Sequence, residues 1–132
     1  MSGRRLRNLI VASVTCLMVL TAFAAQAEDG VLRPTTASMD FYGYIDGANT
    51  GDVVSVRTGK GVLCGQFTIT QAGRYGFLHV YGDDKMTAVN EGAELKEPLA
   101  FFLNGSPLAP IANQEVLWLG DGQKLRVDFT RR

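Results

Sequence analysis

Val53 to Tyr81 reads VVSVRTGKGVLCGQFTITQAGRYGFLHVY, three apolar runs cut at Gly59-Lys60-Gly61 and at Gln71-Ala72-Gly73. Within each run apolar and polar residues alternate, the period-2 signature of strands with one buried face. Glycine at the breaks supplies the positive φ that tight reversals need. The same grammar extends in both directions. Upstream, Met39, Phe41, Gly43 and Ile45 alternate with Asp40, Tyr42 and Tyr44, before a turn running from Asp46-Gly47 to Gly51. Downstream, Leu99 to Leu103 ends at Asn104-Gly105, and Pro107 and Pro110 halt regular continuation. Val116 to Leu119 and Leu125 to Phe129 flank a hairpin signal, Gly120-Asp121-Gly122-Gln123. The spacing predicts about seven short strands with no helix among them, and so an antiparallel β-sandwich over residues 39–132.

Residues 1–27 read differently. Arg4, Arg5 and Arg7 precede an uncharged, largely apolar run from Leu9 to Ala25, and Ala25-Gln26-Ala27 offers a small-x-small cleavage site. This is the pattern of a secretory signal peptide, so a secreted, periplasmic or extracellular protein is expected, free of the membrane after cleavage. Residues 28–38 carry Pro34 and little periodicity and read as an extended N-terminal arm. All but one of the 15 glycines lie beyond the leader, a density roughly twice the usual ~7%. Cleavage removes three arginines and no acid, leaving ten basic and thirteen acidic residues, a net charge of −3. A nucleic-acid partner is not expected, because phosphate binding needs a basic stripe. Lys124, Arg126, Arg131 and Arg132 read instead as a solvated strand face and chain end, interrupted by Asp128.

The order Phe41-x-Gly43-x-Ile45, Asp46-Gly47, Val54-x-Val56, Gly65-x-Phe67-x-Ile69, Gly73-x-Tyr75-Gly76-x-Leu78-x-Val80, Gly82-Asp83-Asp84 and Asn104-Gly105 resembles a module of prokaryotic exported and surface proteins. That module is similar to the transthyretin-like (prealbumin-like) and carboxypeptidase-regulatory-like domains. The resemblance covers most of residues 41–129 and implies an Ig-like or transthyretin-like sandwich acting as a non-catalytic interaction or spacer unit. One enzyme of transthyretin-like fold hydrolyses 5-hydroxyisourate with several histidines and a Tyr-Arg-Gly-Ser-type C-terminus. This chain has His79 alone and ends Asp128-Phe129-Thr130-Arg131-Arg132. No activated-serine signature or phosphate-binding loop accompanies it, so no enzyme activity and no catalytic residue are expected.

Three features carry candidate chemistry. Strict alternation puts Tyr75, Phe77, His79 and Tyr81 on one face of their strand, with Tyr42 and Tyr44 on the non-core face of the first strand. If exposed, such a row suits stacking on sugar rings or anchoring a protein; if internal, it is core packing. Second, Asp83, Asp84 and Glu91 gather carboxylates in one turn-rich stretch, where calcium is an alternative to a solvated loop. Third, Cys64 is unpaired beyond the leader, and its thiol is buried, exposed or joined to another chain according to whether Gly65 marks a bulge. The expected function is a secreted binding or structural module at the cell surface, in the periplasm or outside the cell. Alternatives are a carbohydrate-binding module using the aromatic face, an adhesin or polymer subunit that homo-oligomerises by strand addition through its arm, and a calcium-stabilised module.

Overall fold

A computed structural model describes residues 30–132. The expected leader lies outside the described residues. Eight strands follow one another with no helix between them: β1 (Ser38–Tyr44), β2 (Val53–Thr58), β3 (Leu63–Thr68), β4 (Arg74–Tyr81), β5 (Leu99–Leu103), β6 (Ser106–Pro110), β7 (Lys124–Arg126) and β8 (Phe129–Arg131). The turns form where the sequence places them, except that Gly120 to Gln123 closes no hairpin, since its flanks pair with Pro98 and with β1 instead. Between β5 and β6, Asn104 and Gly105 have φ of 48° and 82°, the paired left-handed conformation of a two-residue hairpin turn that Asn-Gly favours. Leu103 and Ser106 close that hairpin as partners.

The strands are hydrogen-bonded in the order β7-β1-β4-β3-β2-β5-β6-β8, one mixed sheet that curls. Six pairings are antiparallel, and β7 lies parallel to β1. The curl is visible in the core. Phe41 of β1 and Phe101 of β5 are separated by three intervening strands, yet their rings meet edge to face with centroids 5.3 Å apart. Phe101 in turn lies 4.5 Å from Phe129 of β8. The C-terminal segment ties the two ends of the strand order together: after pairing with β1 as β7, it bridges Ile45 through Phe129 and then pairs with β6 as β8. Met39, Val54, Val56, Leu78 and Val80 fill the interior and are fully buried.

Three expectations change, the first being that the run from Leu125 to Phe129 is not one strand but is divided between β7 and β8, with Val127 and Asp128 between them. Ser106–Pro110 is a strand despite its two prolines. Its ladder to β5 stops at Pro107, and from Leu108 it pairs on its other side with β8. Each proline forfeits only an N–H, and its fixed φ is tolerated where a ladder ends. Val116 to Leu119, by contrast, makes only a single bridge, Leu117 to Pro98. Trp118 is buried there, with Nε1 donating to the Val80 carbonyl at 2.9 Å, and backbone hydrogen bonds tie the run to Lys96, Glu97 and Leu99.

Cys64 is buried, its Sγ 3.4 Å from the Val56 carbonyl. The register slips between Val56 and Arg57, so Leu63, Cys64 and Gly65 are all buried. Burial pushes the thiol up to about 12. The arm is docked over its described part: Thr35 Oγ1 donates to the Gly82 carbonyl at 2.7 Å, and the Gly82 N–H donates to the Ala37 carbonyl at 2.9 Å.

Phe101 is the ring through which both ends of the strand order touch. Phe101→Ala is expected to cost about 3–5 kcal/mol in urea denaturation, whereas Phe77→Ala on the outer surface costs about 1 kcal/mol. Equal losses from the two would contradict the curled core.

Candidate functional site

Strict alternation fails in the middle of β4, and the failure builds the site. Phe41 faces Leu78 across the β1/β4 ladder, but Gly43 faces Tyr75. Tyr42 therefore stands opposite two residues, Gly76 and Phe77, which is a β-bulge. Gly76 has φ of +115°, and a Cβ there would lie 2.5 Å from the Tyr42 Cβ and 2.9 Å from the Phe41 carbonyl oxygen. The bulge reverses side-chain parity. Tyr75 turns inward, 3% exposed, and its hydroxyl donates to the Val127 carbonyl at 2.6 Å. Desolvation moves its phenol well above the ordinary tyrosine range, and the nearby Asp128 charge adds to this.

The expected aromatic row is accordingly divided. Tyr75 belongs to the core and Tyr81, at the far end of β4, is half-buried, while Phe77 and His79 face solvent. Tyr42 and Tyr44 also face solvent, as their alternation with Phe41 and Ile45 requires. Phe77 and Tyr42 pack edge to face at 5.3 Å and are 53% and 39% exposed.

Cations that sequence reading assigned to a solvated edge join these rings. The β7/β1 register sets Lys124 beside Asp40 and Arg126 beside Tyr42, and the β1/β4 register sets Asp40 beside His79 and Tyr44 beside Arg74. The Lys124 ammonium lies 5.2 Å from the Phe77 ring centroid. Tyr44 receives two guanidinium groups, Arg74 at 5.2 Å and Arg126 at 5.3 Å, and Arg74 also donates to the Tyr44 hydroxyl at 3.0 Å. Each such contact is worth about 0.5–1 kcal/mol at an exposed position, enough to orient a long side chain. Nothing in the sequence marks Lys124 and Arg126 as neighbours of Tyr42, because a parallel pairing has no turn to announce it.

A groove of about 380 Å³ runs beside the rings, edged by Phe67, Thr70, Gln71 and Arg74, with Tyr75 and Gly76 also in its wall. It opens where β3 and β4, partners only at Gly65 and Val80, cease to pair. Asp128 braces the face from below. Its Oδ1 accepts the Tyr44 N–H at 2.9 Å, and its carboxylate takes Arg126 at 3.3–3.4 Å. The Tyr44 N–H foremost, with Arg126, holds this carboxyl below the usual carboxylate range. At the other end of the face His79 Nδ1 is hydrogen-bonded to the Asp40 carboxylate.

Asp83, Asp84 and Glu91 lie elsewhere, in the loop after β4. Asp83 accepts the Glu91 N–H at 3.0 Å and Asp84 accepts the Met86 N–H at 2.9 Å, so both carboxylates bind the loop's own backbone. Among the described residues no three His, Cys, Asp or Glu side chains gather as a metal-holding group. Comparison with family models, with curated proteins and with solved structures found no match to this chain.

Asp128→Asn is expected to cost about 1 kcal/mol at pH 7, a charged hydrogen bond discounted for exposure. Because the folded carboxyl titrates below its ordinary 3.8, its contribution is complete above that pH and is lost as pH falls through the folded value. Denaturation midpoints of the variant and the wild type should converge in acid; a gap that persists or widens there would contradict this role.

Proposed function

We propose that this chain is an exported, non-enzymatic binding module, cleaved from a leader over 1–27, whose working surface is the outer face of β7, β1 and β4. The glycine-turn order that resembles transthyretin-like and carboxypeptidase-regulatory-like sandwiches agrees with such a role at a cell surface, in the periplasm or outside the cell. Carbohydrate is the ligand class this face favours. The observation that carries the reading is the outward set of Tyr42, Tyr44 and Phe77 on hydrogen-bonded strands, held in place by cation contacts beside the groove. Sugar rings have apolar C–H faces that stack on aromatic rings. Thr70, Gln71 and Arg74 along the same groove offer hydrogen bonds to hydroxyl groups. Rings already oriented lose little freedom on binding, which favours affinity.

Strand addition through the arm has less support, because Thr35 and Ala37 are engaged by Gly82 of the same chain. On a glycan array the mature domain is expected to bind a restricted set of polysaccharides. Tyr42→Ala and Phe77→Ala should each weaken that binding about tenfold, roughly 1.4 kcal/mol per ring. An array that stays silent, or variants that bind as the wild type does, would refute the reading.

A further inference from the structure

We propose that the polysaccharide bound by this face is acidic, its carboxylate or sulfate groups held by Lys124 and Arg74 while its sugar rings lie on Phe77, Tyr42 and Tyr44. This rests on the carbohydrate reading above and adds the charge of the ligand.

Several charged groups on the face already have polar partners. Asp40 is hydrogen-bonded to His79 Nδ1, and Asp128 is ion-paired with Arg126. Neither Lys124 nor Arg74 has a carboxylate partner among the described residues. Both are instead held on aromatic rings, Lys124 over Phe77 and Arg74 over Tyr44. A ring orients a cation without neutralising it, so the two charges stay available to an anion. Their presence is the more telling because the chain beyond the leader is acidic overall, at −3.

The layout suits a polymer. Tyr42, which packs on Phe77, and Tyr44, which receives Arg74, lie two residues apart on β1, roughly 7 Å along the strand. A chain laid along β1 thus meets a ring and a cation at each of two successive stations. An acidic polypeptide fits less well. β1, along which the rings are set, is hydrogen-bonded on both sides, to β7 and β4, so a peptide backbone has an edge to join only at the far side of β7, one strand away from the rings. The groove edge is aromatic, polar and cationic, without the aliphatic pocket that anchors a peptide side chain.

The test uses affinity electrophoresis of residues 28–132, as secreted, through gels containing polygalacturonate, dextran sulfate, their uncharged counterparts (fully methyl-esterified polygalacturonate and dextran), or poly-L-glutamate. Retardation by at least one acidic polysaccharide is expected, with clearly weaker retardation by its uncharged counterpart. Arg74→Gln and Lys124→Gln should each weaken it about fivefold. Raising the salt from about 50 to about 500 mM should weaken it further as screening shortens. The two acidic polymers separate carboxylate from sulfate recognition. Both arginine and lysine positions are on the surface, and unchanged circular dichroism confirms that the variants fold. If an uncharged polymer binds as well as its acidic counterpart, or the two variants bind unchanged, the acidic assignment fails while the carbohydrate reading stands. Poly-L-glutamate bound as tightly, with Tyr42→Ala and Phe77→Ala without effect, would overturn the assignment in favour of charge alone. Silence toward every polymer would overturn the assignment and the carbohydrate reading together.

Discussion

The backbone of Gly76, wedged against Tyr42, is the constraint on which the rest of the molecule turns. At φ of +115°, with the Tyr42 Cβ where its own Cβ would go, this position admits glycine and little else. The bulge it permits places two residues of β4 opposite one of β1. The parity of alternation is thereby reversed across it, so that Tyr75 faces the core while Phe77 and His79 face outward. Tyr75 gains a place in the core, where it lies 5.9 Å from Phe129, and Phe77 is delivered to the outer surface beside Tyr42. Without the bulge the two rings would share a face, and either the core or the surface would be missing one.

Core and outer face are mechanically joined through the C-terminal segment. Val127 accepts the hydroxyl of buried Tyr75 and donates its own N–H to the Tyr42 carbonyl at 2.9 Å. The next residue, Asp128, holds the Tyr44 N–H and the Arg126 guanidinium. Phe129, one further on, returns to the core against Phe101. Three consecutive residues therefore fix the depth of the interior ring and the stance of the exterior ones. A surface held in this way presents its rings and cations in one arrangement.

Much of this architecture is legible in the sequence, and the failures have physical causes. Alternation located β1 to β5 to within about two residues, and Asn104-Gly105 located the β5/β6 turn, because local propensity and turn chemistry agree there. Tyr42 and Tyr44 were readable as outward-facing for the same reason. Parity in β4 was not, since Gly76 is consistent with both a regular strand position and a bulge until its neighbour across the ladder is known. The two prolines concealed β6, whose partners change at Pro107, a switch dictated by strands distant in sequence. The apolar run around Trp118 imitates a strand, yet its backbone pairs only with residues 96–99 around a single bridge, and its indole is tied to the Val80 carbonyl. The cationic half of the candidate site is not legible in the sequence, because Lys124 and Arg126 reach Phe77 and Tyr42 only through a parallel pairing, and such contacts leave no short-range trace.

The inward turn of Tyr75 beside an outward Phe77 is tested most directly by ultraviolet titration of tyrosine ionisation in the native protein, with wild type compared to Tyr75→Phe. The chain has four tyrosines, and the Tyr75 phenol, desolvated and bonded to the Val127 carbonyl, should stay protonated until the fold is lost. The native titration amplitudes of the two proteins are therefore expected to superimpose. A loss of one phenol's amplitude near the ordinary ~10 in Tyr75→Phe would place Tyr75 on the surface and contradict the bulge.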